Sequence, residues 1–450
     1  MRARPPQNIA STAVIALGGQ ILINVLALLG TLMVTRALGP SGRGEVAVAL
    51  AASSSFAAIC LISLEFANTY FFAQQGFDLR AIARVASVAA MLMAPVAILL
   101  QVGFFLLSGD TVFADVGATA VMIAACSVPF AVHLNWLIGI FALGGRLARS
   151  QAALVAGAGA QVAGVLALVL LGGLTVATAL LLYVLNIVAA WLLHLIWSRS
   201  FLNLRPSRDR SALRRIVTYG LRLHPAFLFW FLLLRIDILL VNAVLGTREA
   251  GLYSIAVVVA EVIVIFSTPL AAAVLPAQAS GDLKQSAALT FKAVRFNCLL
   301  AAALAALFAG TMWFVLPLVF GSEFGPAYFP LLALLPGMIC LAAYRPLYNW
   351  LLRDGRADRL AAIAGASFAA NVSLNLLLLP VLGITGAGVA SSIAYAGLAA
   401  GLIAWGLRLG DLTVRQALLI RGEDVQTLIR QSGQGLALTR RLLLHRRRRT

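Results

Sequence analysis

Val34-Thr35-Arg36-Ala37-Leu38-Gly39, followed after four residues by Gly44-Glu45-Val46-Ala47-Val48-Ala49, returns as Val241-Asn242-Ala243-Val244-Leu245-Gly246 and Gly251-Leu252-Tyr253-Ser254-Ile255-Ala256. The shift is 207 residues, with no gap. It also carries Pro129 onto Pro336, and a shift of 210 carries Gly145-Arg146 onto Gly355-Arg356, so the duplication runs through most of each half. Apolar helices resemble one another by composition alone. The common spacing and its coincidence with loop positions are what make these matches a repeat. Parallel repeats of several spanning helices are a way of building a central site between two lobes that rock against each other.

The composition agrees with a membrane chain. Of 450 residues, 62% are hydrophobic and 11% charged, with a mean hydropathy of +0.97, far from soluble domains. A spanning helix needs about 20 apolar residues. Such segments lie at 8–34, 46–73, 85–107, 114–142, 152–172, 174–197, 219–245, 251–277, 293–318, 328–350, 361–381 and 387–407. The expected fold is therefore all-α, with about 12 transmembrane helices, six in each repeat. The segments are too long and too weakly alternating for barrel strands.

A net charge of +18 suggests nucleic acid until its placement is considered. With a cytoplasmic N-terminus, only Arg36, Arg43 and Arg248 fall in outer loops, and Arg235 and Arg345 fall within helices. Every other lysine and arginine lies on the inner side, so the positive-inside rule places both termini in the cytoplasm and excludes a nucleic-acid partner. Met1-Arg2-Ala3-Arg4 and the apolar run after it resemble a secretory signal. The run is about 27 residues long and lacks a small-residue cleavage site, so we read it as a retained first helix. Cys60, Cys126, Cys298 and Cys340 all fall in expected helices without metal-ligand spacing, and read as small apolar fillers.

The organisation expected from these segments is an N-terminal lobe at 1–198, a cytoplasmic linker at 199–218, a C-terminal lobe at 219–407 and a basic amphipathic tail at 408–450. The tail ends in His445-Arg446-Arg447-Arg448-Arg449. It suits the anionic inner leaflet, where each arginine adds about 1 kcal/mol of attraction; a solvated tail is the equal alternative.

Charges at bilayer depth cost about 2.5–3.5 kcal/mol each on insertion scales, and so face a partner or a wet cavity. Arg235, Asp237 and Glu261 occupy helices seven and eight, Glu65 helix two and Arg345 helix ten. Arg235 and Glu261 are each thirteen residues from Arg248, hence at similar depth, nearly 20 Å along straight helices. They are candidates for a buried ion pair, with Asp237 about 200° round the helix from Arg235. Arg345 lies towards the inner side, where it can reach the headgroups, and Glu65 lies nearer that end as well. Asn68, His133, Asn135, His224, Asn371 and Asn375 can line a hydrophilic lumen or bond between helices. No phosphate-binding loop, metal-ligand spacing or nucleophile–base pairing is present, so an enzyme is not expected.

Thr35-Arg36-Ala37-Leu38-Gly39-Pro40-Ser41-Gly42-Arg43-Gly44 resembles the start of bacterial polysaccharide-biosynthesis membrane proteins. These are the O-antigen and exopolysaccharide flippases of the multidrug/oligosaccharidyl-lipid/polysaccharide exporter superfamily. The resemblance continues at Tyr219-Gly220-Leu221, Arg235-Ile236-Asp237 and Gly251-Leu252-Tyr253-Ser254. It also covers Phe320-Gly321-Ser322-Glu323-Phe324, Leu335-Pro336-Gly337, and Gly383-Ile384-Thr385-Gly386-Ala387-Gly388 through Ser392.

The resemblance implies two six-helix lobes in a V, opening alternately to each side of the bacterial inner membrane. It also implies carriage of a polyprenyl-diphosphate-linked glycan to the outer leaflet, with a polysaccharide polymerase and glycosyltransferases as pathway partners. No cofactor is implied. Coupling to protons, sodium or membrane potential stays open, with Glu65, Asp237 and Glu261 as candidate titrating groups. The scarcity of intramembrane cations argues against a multi-arginine diphosphate trap. The alternative is a cation-coupled multidrug exporter of the same superfamily, which usually carries buried acids in its first lobe. Here helix one has none.

Overall fold

The computed structural model describes residues 9–202, 210–280 and 282–419. Part of the expected linker (203–209) and most of the expected tail (420–450) lie outside the described residues. Within the described residues every regular element is helical. The first half runs α1 Ile9–Cys60, α2 Leu64–Ala73, α3 Leu79–Ser108, α4 Ala118–Cys126, α5 Val128–Leu143, α6 Leu147–Leu170 and α7 Val176–Ser198. The second runs α8 Arg210–Leu233, α9 Ile236–Leu245, α10 Thr247–Ser280, α11 Leu283–Phe320, α12 Tyr328–Leu341, α13 Tyr344–Leu351, α14 Ala357–Leu382, α15 Ile384–Gly410 and the short α16 Val414–Leu418.

Among the described residues, eleven stretches are long and apolar enough to cross a membrane. One of them, Leu17–Ala73, has 57 residues, about 85 Å of helix, more than twice the roughly 30 Å of a hydrocarbon core. It therefore makes two passes. The turn is at Gly39 (φ 66°, ψ −174°), with Pro40 opening the next helix. Gly246, 207 residues on, has nearly the same backbone (φ 87°, ψ 175°) and stands between α9 and α10. Only glycine adopts this region readily, so one turn has been kept twice. Counting the long stretch as two passes gives the expected twelve, in two parallel sets of six.

Several passes are broken where the sequence suggested continuous helices. α8 and α9 are two pieces of one expected helix, parted at Leu234–Arg235; α12 and α13 part at Ala342–Ala343, and α4 and α5 at Ser127. The second pass breaks at Leu61–Ser63, where Ile62 and Ser63 take φ of 43° and 48°.

The described contacts divide the chain into two compact units. The first comprises Met1–Val259, Thr311–Leu334 and Ala357–Ala394. Its core includes Leu64, Phe71, Ile82, Trp136, Ile140 and Phe141. The second comprises Ala260–Gly310, Leu335–Arg356 and Tyr395–Thr450. There Phe291 meets Trp350 edge-on at 6.3 Å, and Trp350 Nε1 donates to Ser286 Oγ (3.0 Å) and to the Leu283 carbonyl (3.2 Å). Arg295 donates to the Ala417 carbonyl (2.9 Å), fastening α11 to α16.

Candidate functional site

The first unit holds three polar arrangements, and the repeat organises one of them. At the Gly39/Gly246 end the two copies meet on themselves. A side chain on Gly44 would overlap the Thr247 carbonyl, and one on Gly251 would overlap the Pro40 carbonyl. Pro40 and Thr247 are themselves equivalent by the shift of 207. Such backbone approach requires glycine on both sides. Buried Arg43 closes the contact by donating to Ser254 Oγ (3.1 Å). Around it, Asn242 Nδ2 donates to the carbonyls of Val112 (2.9 Å) and Ala114 (3.1 Å), and Arg36 donates to the Leu318 carbonyl (2.6 Å). Within a residue or so, these are the same crossed bond made twice, each copy's first pass holding the end of the other's third.

The second arrangement surrounds Asp237, which is 1% exposed. Its Oδ2 accepts from Tyr253 Oη (2.6 Å) and Ser391 Oγ (3.2 Å), and its Oδ1 accepts from the Ile238 backbone N–H (2.9 Å). Asn371 Nδ2 donates to Ser391 Oγ (3.2 Å), and Asn375 Nδ2 donates to Asn371 Oδ1 (3.2 Å) and its carbonyl (2.9 Å). Four helices, α9, α10, α14 and α15, are thus joined by one polar chain. Asp237 lies about 13 Å from Gly246 at 1.5 Å per residue. A carboxylate among hydroxyl and amide oxygens can hold a proton or a hard cation.

The third arrangement is at the break in the second pass, near the opposite end. Trp136 Nε1 donates to the Leu61 carbonyl (3.2 Å), and Ser63 Oγ lies 3.3 Å from His224 Nδ1. Glu65 and Asn68 follow on α2. Asn68 is 2% exposed. Among the described residues, neither of its amide atoms, nor Glu65 Oε2, has a hydrogen-bond partner.

The remaining expected residues are dispersed. Arg235 stands at the α8–α9 break, close enough to Asp237 and Tyr183 to act on both electrostatically. Because the chain is broken there, the straight-helix bearing of Asp237 from Arg235 does not apply. Glu261 is half-buried on α10 in the second unit, Arg345 is exposed in the first turn of α13, and Asn135 is exposed on α5. His133 Nδ1 accepts from Trp191 Nε1 (3.2 Å) beside an apolar cavity of about 370 Å³ that Ser87, Met91, Pro129 and Leu195 also line. An indole N–H can only donate, so a neutral His133 carries its proton on Nε2.

Sequence reasoning found Asp237, Asn371 and Asn375, and missed the residues that join them. Tyr253 and Ser391 sit in quoted landmark stretches, and Asn242 in the repeat itself, but a hydroxyl or amide in an apolar helix announces no partner. The four cysteines are free. Among the described residues no group of three or more histidines, cysteines or acids is placed to hold a metal ion.

A model of a family described as polysaccharide biosynthesis protein matches residues 149–328. No curated protein matches the chain by sequence. Solved structures match along nearly its whole length. An inward-facing multidrug resistance MATE family transporter of the MOP superfamily aligns with a TM-score of 0.66 at 14% identity, covering 89% of this chain and 98% of that one. An outward-facing MATE family transporter aligns at 0.56 and 15%, covering 91% and 97%. A MOP superfamily transporter from Pyrococcus furiosus, whose binding pocket is described as reversed in polarity, aligns at 0.57 and 15%, covering 89% and 95%. At these identities the structural likeness establishes the fold, which is that of the exporters. The family match spans 180 of the 450 residues.

Proposed function

We propose that the protein is a flippase that moves a polyprenyl-diphosphate-linked oligosaccharide from the inner to the outer leaflet of the bacterial cytoplasmic membrane by alternating access. The observation that carries this reading is the match to a polysaccharide biosynthesis family at residues 149–328, in a chain whose fold is an exporter's. In this reading residues 1–198 and 219–407 are the moving lobes, 199–218 joins them, and the basic tail lies on the inner leaflet. The arginine distribution puts the Gly39/Gly246 end outside, so the crossed bonds from Arg36 and Asn242 hold the outer ends together and part when the carrier opens outward. A polar headgroup needs such a protected path. Its hydrocarbon tail does not, since lipid solvates it.

Arg235 is the cation this reading gives to the diphosphate. It stands where the helix is interrupted, and non-helical backbone at membrane depth is tolerated only inside protein or beside a wet cavity. Asp237, tied to Tyr253 and Ser391, is the coupling group, exchanging a proton or a cation as the lobes move.

Deletion in the native host followed by lipid analysis tests the function. The expected result is accumulation of a polyprenyl-linked glycan in the inner leaflet and loss of surface polysaccharide. Normal surface glycan with new drug sensitivity would favour the second reading, a cation-coupled multidrug exporter, to which the likeness to multidrug transporters lends support.

A further inference from the structure

We infer that the inner end of α8 is a surface site for the diphosphate and first sugar of the carried lipid, held by Arg215, Tyr219 and Arg222 before the head enters the protein. The inference deepens the flippase reading and rests on it. The three residues are spaced by four and then three, so they form one stripe of α8, within about 60° of arc. The helix beneath them is fixed. A side chain on Gly220 would overlap the Ile62 carbonyl, so α8 lies directly against the break in the second pass.

The neighbours hold this stripe without using its hydrogen bonds. The Tyr219 ring stacks on Tyr70 (centroids 4.5 Å apart, planes within 10°) and meets Phe71 edge-on at 5.8 Å. Gln75 Nε2 donates to Tyr70 Oη (3.4 Å), which leaves the Tyr70 hydroxyl proton to donate outward. The Arg215 guanidinium lies over the rings of Phe71 (5.6 Å) and Phe77 (5.3 Å). Stacking occupies the face of a guanidinium and leaves the N–H groups in its plane, the fork that takes phosphate in bidentate fashion. Arg146 shows the contrast. It stacks on Phe201 at 3.9 Å, but gives an N–H to Ser200 Oγ (3.0 Å). Among the described residues Arg215, Arg222 and the Tyr219 hydroxyl make no hydrogen bond or ion pair. Arginine and tyrosine at a membrane interface are ordinary by themselves. These are set apart by being held in place with their donors unspent.

Depth decides which anion they suit. At 1.5 Å per residue Arg222 lies about 36 Å from the Gly246 turn, and Arg215 about 46 Å. The hydrocarbon core is about 30 Å thick, and about 40–45 Å with its headgroups. With the Gly246 end outside, Arg222 is in the inner headgroup layer and Arg215 at its cytosolic edge. A phospholipid has one phosphate, at the first level. A polyprenyl diphosphate has two in series and then its sugar, so its head reaches both arginines and passes the Tyr219 hydroxyl between them.

The test uses purified full-length protein in phosphatidylcholine nanodiscs, titrated with farnesyl-diphosphate-linked N-acetylglucosamine carrying a radioactive label and a diazirine on the sugar. Arg215→Gln and Arg222→Gln should each weaken binding about ten- to a hundredfold, as for hydrogen bonds to a charged group, and Tyr219→Phe, which keeps the stack, about two- to tenfold. Arg149→Gln, an exposed inner arginine elsewhere, should change binding less than twofold. Light should attach the probe to the peptides carrying Phe77 and Arg215. Should Arg215→Gln fail to fold, Arg222→Gln and the labelled peptides decide. The inference is overturned if both variants bind as Arg149→Gln does, if the label falls only around Arg235, or if phosphatidylglycerol displaces the probe at equal concentration, which would make this an ordinary anionic-lipid surface. Flipping of the same lipid in vesicles separates the two readings. Native protein that flips, with arginine variants that bind and flip as it does, removes this site and leaves the flippase; native protein that neither binds nor flips removes both.

Discussion

The two repeats are most alike where the backbone turns and least alike where acids are buried. Gly39 and Gly246 share a conformation, and Gly44 and Gly251 face each other in a reciprocal contact, so this end has hardly diverged. Inside, the halves have parted. Asp237 is fully provided for by Tyr253, Ser391 and a backbone N–H, whereas Glu65 Oε2 and the Asn68 amide have no hydrogen-bond partner among the described residues. The equivalent of Asp237 by the repeat shift is Gly30. Close backbone contact admits one residue type on both sides, so duplication preserves it. A buried acid depends on partners from several helices, so each half can gain or lose its own.

The largest expected effect tests the shared feature. Gly44→Val and Gly251→Val each drive a side chain into a carbonyl of the other copy. Both should cost at least the upper end of the roughly 1–3 kcal/mol typical of overpacking, read as loss of monodisperse protein in size-exclusion chromatography. A large effect at one glycine and none at the other would break the equivalence.

The next test concerns the difference, and predicts opposite signs. Asp237→Leu leaves the Tyr253 and Ser391 hydroxyls buried without their acceptor, at about 1–3 kcal/mol for each group, so the unfolding temperature should fall. Glu65→Leu removes a buried carboxyl oxygen that has no hydrogen-bond partner among the described residues, so the unfolding temperature should hold or rise. Falls of equal size would mean that Glu65 is as well satisfied as Asp237.

Smaller changes sharpen the picture. Tyr253→Phe should cost about 1.5–3 kcal/mol, as for a bond to a charged group, and Trp136→Phe about 0.5–1.5 kcal/mol, as for a neutral one. Smallest are the crossed bonds at the Gly39/Gly246 end. Asn242→Ala should destabilise by about 1 kcal/mol and Arg36→Ala by less, since its side chain is exposed and water replaces its bond. Thermal unfolding checks all four.

How much of this could be read from the chain follows the same division. The twelve passes were legible because each needs a long apolar run, and the Gly39/Gly246 turn because glycine with proline or a polar residue after it interrupts such a run. The breaks at Ile62–Ser63 and Leu234–Arg235 were not, because neither a proline nor a glycine marks them and tertiary contacts impose them. Asp237 stood out as a charge in an apolar segment. Tyr253 and Ser391 did not, since their importance comes from geometry between helices far apart in sequence. Asn68 was singled out as one polar residue among several. Its isolation became visible only once every neighbour had a position.

The most direct measurement is flipping in a defined membrane. Purified protein is reconstituted into vesicles carrying a fluorescent polyprenyl-diphosphate oligosaccharide in both leaflets, and a membrane-impermeant reagent that modifies the sugar is added outside. The account predicts that nearly all of the lipid becomes accessible with the native protein, and only the outer half with Gly44→Val vesicles or with none. Native-protein vesicles whose accessible fraction stays at one half under proton, sodium and voltage gradients alike would contradict it.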